Sequence, residues 1–80
     1  MISDNEDDNF YFIRQREVTL LTSIPKSSIP IEIAEGNFPL PVEISTRSRA
    51  WLKSEVLEWM KLKLKERNKK QQEEENNELY

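Results

Sequence analysis

One stretch, Ser27 to Pro41, reading SSIPIEIAEGNFPLP, limits the folds open to this chain more than any other, because it holds the only glycine and three of the four prolines. Pro30 has no amide hydrogen and is tolerated only in the first turn of a helix, so a helix here must start at Ser27 to Ile29. Ser27 and Ser28 are then the candidates to cap it, since a side-chain oxygen at that place accepts from an orphan amide. Ile29 and Ile33, four residues apart, share one helical face. Gly36 supplies the left-handed conformation that commonly ends a helix. Pro39 and Pro41 fix their own φ and hold Phe38 and Leu40 extended, so the chain leaves the helix in a set direction and Phe38 returns toward a core. The helix is short and displayed at the surface.

The flanking segments read as elements that present this piece. Phe10 to Ile13, FYFI, is a run of strand formers that suits a short strand or an extended clamp packed on the core. From Arg14 to Thr22 the spacing of Val18 and Leu21, with Ile24 beyond, predicts a two-turn helix with a narrow apolar stripe, ended by Ser23 and Pro25. Two short helices joined so closely must cross steeply, which is helix-turn-helix spacing. Val42, Glu43 and Ile44 alternate as a half-buried strand does, Ser45 to Ser48 is a polar turn, and Arg49 to Leu52 returns as the partner strand. The tip, with Thr46, Arg47 and Ser48, lacks glycine and asparagine, so a turn longer than two residues is expected. From about Lys53 the period becomes helical, with Val56, Leu57, Trp59, Met60 and Leu64 recurring to about Lys70. Glu55 near its start and Lys61, Lys63, Lys65 and Arg67 near its end suit the helix dipole.

Eighty residues allow one small domain, taken as residues 10–70 between acidic tails at 1–9 and 71–80. The DNEDD cluster in the first tail and QQEEENN in the second carry too few apolar residues to repay ordering, so the first is expected to be disordered and the helix to fade into the second. With no cysteine and no histidine, disulfide frameworks, thiol chemistry, zinc-finger spacing and the commonest general base are all removed. No glycine-rich phosphate loop and no pocketed acid pair replaces them; Glu32 and Glu35, three apart, are most simply a solvated face. No enzyme activity, cofactor or small-molecule substrate is expected. Nor is a membrane role, since no apolar run is long enough to span. The net charge of −3 hides a segregation. Between Arg14 and Lys70 lie all twelve bases and only seven acids, a net charge of +5, and the other eight acids sit in the tails. A basic body is compatible with an anionic partner, because the local field steers association.

Taken together, the runs Arg16-Glu17-Val18, Thr22 to Ile29, Ala34 to Val42, Arg49-Ala50-Trp51 and Ser54 to Trp59 resemble the AlpA family of prophage regulators and excisionases. The likeness spans roughly residues 12–64, and its most specific parts are EG-x-FP-x-P and RxW followed by SEV-x-x-W. The family's fold is a small α+β winged helix-turn-helix of the MerR-like type: a short strand, two short helices, a hairpin wing and a longer last helix. The resemblance implies double-stranded DNA as partner, near attachment sites or integrase promoters, with a phage integrase and further copies of the chain as companions. The absence of cysteine fits a cytoplasmic location, and the resemblance makes it a bacterial, nucleoid-associated one. By the same resemblance Lys26, Ser27, Ser28 and Ile31 lie on or near the groove-facing side of the second helix, and Arg47, Ser48 and Arg49 in the wing. Their chemistry fits: hydroxyls and amides at a helix start suit phosphates, and arginines at a hairpin tip suit a backbone or a minor groove. The family usually has glycine where this chain has Ser23, so a left-handed residue there carries strain.

Two readings from different classes follow. In one, the second helix enters a major groove and the wing grips adjacent backbone, marking or bending a site for excision or changing transcription there. In the other, the domain is a protein-interaction module for an integrase, a repressor or another copy of itself, using the acidic helix face and the apolar Leu57, Met60, Leu62 and Leu64. Convergence of Lys26, Arg47 and Arg49 away from Glu32 and Glu35 favours the first. Trp51 and Trp59 are read as core residues and not as stacking platforms for bases, and the lysines of the last helix as solvating.

Overall fold

The computed structural model describes residues 8–77, and side chains through residue 71. Its elements follow the expected order. A strand β1 (Phe12–Ile13) leads into helix α1 (Gln15–Thr22); a 3-10 turn (Lys26–Ser28) feeds α2 (Ile29–Ala34); strands β2 (Val42–Ser45) and β3 (Ser48–Leu52) form a hairpin; and α3 (Lys53–Asn77) closes the chain. The sheet is antiparallel with order β1-β3-β2, so the hairpin's second strand is central. This is a small winged helix-turn-helix.

Nearly every element gives one side chain to a single core. Ile13 of β1, Val18 of α1, Ile29 of α2, Trp51 of β3 and Val56 of α3 surround Phe38 from the segment between α2 and β2. Leu21, Ile24, Ile33, Trp59 and Met60 pack against that cluster. The stripes at Val18-Leu21-Ile24, Ile29-Ile33 and Val56-Trp59-Met60 thus converge as the helical spacing predicts. Full burial of such side chains stabilises by about 1.5–3 kcal/mol each. Phe38 stands edge-on to both indoles, 6.4 Å from Trp51 and 4.9 Å from Trp59 between ring centroids. Trp51 donates its Nε1 hydrogen to the Pro39 carbonyl at 3.0 Å, and Trp59 donates to the Asn37 carbonyl at 2.6 Å. The two tryptophans are structural, and they hold the Phe38 segment from both sides.

Several expectations are corrected. The FYFI run packs only through Ile13, because a two-residue edge strand alternates and leaves Phe12 outward; Phe10, Tyr11 and Phe12 are exposed. Tyr11 instead meets Lys53, whose Nζ donates to the Tyr11 hydroxyl at 2.8 Å. β2 is an edge strand with all four residues exposed, not a half-buried one. The hairpin turn is tight: Ser45 pairs with Ser48, leaving only Thr46 and Arg47 at the tip. Among the described residues only Ser23 and Gly36 have positive φ. The turn therefore lacks the left-handed residues that two-residue hairpins favour, and a register slip between Glu43 and Ser45 absorbs the mismatch. α3 runs to Asn77 and not to about Lys70, since Gln, Glu and Lys favour helix intrinsically. The disorder expected of the first tail falls, through residue 7, outside the described residues, as do residues 78–80.

The C-terminal ends of α1 and α2 are each followed by a left-handed residue. Gly36, at φ 76, takes that conformation without cost. Ser23, at φ 67, follows α1 and donates its amide hydrogen to the Thr19 carbonyl at 2.8 Å. A side-chain residue in this region costs about 1–2 kcal/mol. Ser23→Gly should therefore stabilise the domain by about 0.5–1 kcal/mol, the relief being partly offset by the looser unfolded chain. In thermal unfolding that is a rise of roughly 2–8 °C.

Candidate nucleic-acid interface

The turn between α1 and α2 is built from side-chain as well as backbone bonds. The Thr22 hydroxyl donates to the Val18 carbonyl at 2.8 Å and accepts from the Ile24 amide at 3.2 Å, which closes the end of α1. Pro25 then starts the 3-10 turn, with the Ser28 amide donating to its carbonyl at 2.9 Å. No side-chain capping bond forms at the start of either helical piece, so the capping role expected of Ser27 and Ser28 is overturned. The 3-10 turn itself satisfies the Ser28 amide. Ser27 is exposed and Ser28 half-buried.

With Ile29 and Ile33 turned inward, Pro30 and Ala34 occupy the flank of α2 that faces the hairpin. They line a groove of about 660 Å³ together with Gln15, Pro41, Glu43 and Arg49. Ile31 points outward and is 56% exposed. At about 100° per residue, Glu32 falls on the opposite flank from Pro30 and Ala34. Glu35 lies one turn beyond Ile31 at the end of the helix, where its carboxylate accepts from the Asn37 side-chain amide at 3.4 Å. Across the hairpin, Arg49 is paired in register with Glu43, and both belong to the groove. Arg47 is exposed in the tight turn and Ser48 is half-buried beside it.

A second concavity, of about 390 Å³, lies on the other side of the start of α1. Gln15, Arg16, Thr19, Leu20 and Lys26 line it. Gln15 borders both concavities, so the surface runs from Lys26 and Arg16 across Gln15 to α2 and Arg49. Among the described residues the ion pairs are Lys61 with Glu58 and Lys63 with Glu66, both on α3. Arg16, Lys26, Arg47 and Arg49 are thus held by no carboxylate of the described residues. The structure brings Arg49 together with α2, and Lys26 together with Arg16, in two adjoining hollows and not in one. Gln15 and Arg16 were not singled out in the sequence; Arg16 stood only within the Arg16-Glu17-Val18 run, and its nearness to Lys26 depends on how the chain turns at Ser23.

Of the apolar surplus on α3, Leu62 and Leu64 are exposed, whereas Leu57 and Met60 are half-buried. No helix among the described residues is long and apolar enough to cross a membrane.

A helix-turn-helix with a hairpin wing, carrying unpaired cations along the side that joins α1, α2 and the wing, defines a winged-helix domain with a basic face. The family model described as prophage CP4-57 regulatory protein (AlpA) matches residues 11–64, and the chain belongs to this AlpA family. It is also similar to a protein of Enterobacteria phage P4 described as uncharacterized protein ORF88, with 41% identity over 49 residues. That match covers 61% of this chain and 56% of the phage protein, little more than half of the relative's length. No solved structure matches the chain.

Proposed function

We propose that this is a DNA-binding accessory protein of a prophage or other mobile element, acting as an excisionase, a transcriptional regulator or both at attachment or integrase-promoter sites. The observation that carries this reading is the continuity of the face: α2 and the wing share one groove, Gln15 joins it to the Arg16–Lys26 hollow, and no ion pair among the described residues neutralises its cations. α2 is the element to enter a major groove, where the exposed Ile31 suits a thymine methyl. Ser27, Ser28 and Lys26 reach flanking phosphates, and Arg47, Ser48 and Arg49 grip the backbone or minor groove beside it. Glu32 falls on the flank of α2 turned away from the groove shared with the wing, whereas Glu35 lies one turn beyond Ile31 and Glu43 lines that groove opposite Arg49. A module this small makes few contacts, so copies load cooperatively on repeated sites, beside an integrase where excision is the outcome.

The test is fluorescence anisotropy with duplexes from the ends and the integrase promoter of the surrounding element, across a salt series. One fragment bound tightly, with affinity falling as salt rises, is the expected result; an integrase recombination assay with and without the protein then separates excision from transcriptional control. If no fragment binds at low salt, the DNA reading fails. The protein-interaction reading, with the exposed Leu62 and Leu64 as its contact, then takes its place.

A further inference from the structure

We propose that Arg16 and Lys26 form a cradle for a single oxyanion, a phosphodiester of the DNA backbone, at the hollow beside α1. This rests on the DNA reading above but assigns a separate contact within it. Arg16 comes from the first turn of α1 and Lys26 from the 3-10 turn before α2, and both line the same small hollow. The rest of its lining is Gln15, Thr19 and Leu20; no acid takes part, and Glu17, adjacent in sequence, does not line it. Two cations sharing a hollow repel one another unless an anion sits between them, and among the described residues neither forms an ion pair. Thr19 adds a second, independent mark. Its Oγ1 is buried and has no hydrogen-bond partner among the described residues, an unfavourable state for a hydroxyl. Thr22, three residues on, shows the usual solution by bonding to the carbonyl four residues back. A rotamer change at Thr19 would turn its hydroxyl toward the hollow, where an oxyanion supplies the missing acceptor.

The chemistry fits a backbone phosphate better than a base edge. An arginine and a lysine with a hydroxyl match a tetrahedral oxyanion with several acceptor oxygens. The exposed Leu20 at the rim provides apolar surface for an adjoining sugar. Because Gln15 belongs to both hollows, a phosphate held here fixes where the strand meets the groove of α2. The cradle sets register, and it reads no sequence.

The experiment compares wild type, Arg16→Ala and Arg16→Lys in two arms. In the first, the slope of log affinity against log salt is measured for a specific and a random duplex. Arg16→Ala should lower its magnitude by about 0.9 on both, and Arg16→Lys should retain it. An unchanged slope in an Arg16→Ala protein that keeps the wild-type circular dichroism spectrum overturns the proposal. In the second arm, inorganic phosphate is titrated and the Arg16 side-chain and Lys26 and Thr19 amide resonances are followed by NMR. Shifts that Arg16→Ala abolishes support the cradle even if no duplex binds wild type, in which case the oxyanion is a free phosphate and the DNA source is overturned. No shift in that circumstance overturns the cradle itself.

Discussion

Phe38→Ala should remove about 3–5 kcal/mol, a large part of the domain's stability. The ring is 6% exposed and is edge-on to both tryptophans, so its loss opens a cavity that no neighbour can close without moving an indole. Truncations of this kind cost about 3–5 kcal/mol, and the edge-to-face pairs add about 0.5–1.5 kcal/mol each beyond area. A domain of this size has a total stability of roughly 4–12 kcal/mol, so one substitution removes a large part of it. The effect reaches the interface, because the carbonyls on either side of Phe38, those of Asn37 and Pro39, are the two that accept from Trp59 and Trp51. Urea denaturation followed by circular dichroism is the measurement. Phe12→Ala, at an exposed ring on the edge strand, is the control and should cost less than about 1 kcal/mol. Equal midpoints for Phe38→Ala and wild type would mean that the aromatic cluster does not hold the fold together.

The paired substitution Arg47→Ala, Arg49→Ala should do the reverse, sparing the fold and weakening DNA binding. Both side chains are exposed and neither forms an ion pair among the described residues, so stability should change by less than about 0.5 kcal/mol. If each contacts one phosphate, the salt slope loses about 0.9 per residue, or about 1.8 for the pair. The loss of affinity at low salt should be tenfold or more. Arg49 carries an added consequence, because its removal leaves Glu43 as the one charge lining the groove beside α2. An acid there repels phosphate, so Arg49→Ala alone should weaken binding more than Arg47→Ala alone. Anisotropy on one labelled duplex, titrated with all three variants, decides it; an unchanged affinity in the double variant would remove the wing from the interface.

Much of this architecture is legible in the residues because its signals are local. The phase of Ile29 and Ile33, the proline that fixes the start of α2, the glycine that ends it and the change of period at Lys53 each depend on a few neighbours. Where the reading fails, the deciding contact lies elsewhere in the chain. The tight tip at Thr46 and Arg47 depends on a slip in pairing with β3, which no turn residue announces. The aromatic run at Phe10 to Phe12 looks like core by composition, yet an edge strand of two residues can turn only one side chain inward. The serines before α2 have the chemistry of caps, but neither side-chain oxygen accepts an amide at the helix start, and Pro30 in the first turn has none to give. Arg16 lies ten residues from Lys26, and only the bend at Ser23 makes them neighbours.

The manner in which the two indoles are anchored has a practical consequence. Trp51 and Trp59 are the chain's only tryptophans, and each bonds to the short segment by which α2 leaves toward the wing. The molecule therefore carries an intrinsic optical reporter at the one joint that any reseating of α2 against the wing must strain. A shift in native emission on adding an unlabelled duplex would register that movement without a dye, and an unchanged spectrum would mark the two elements as docking like a single rigid key.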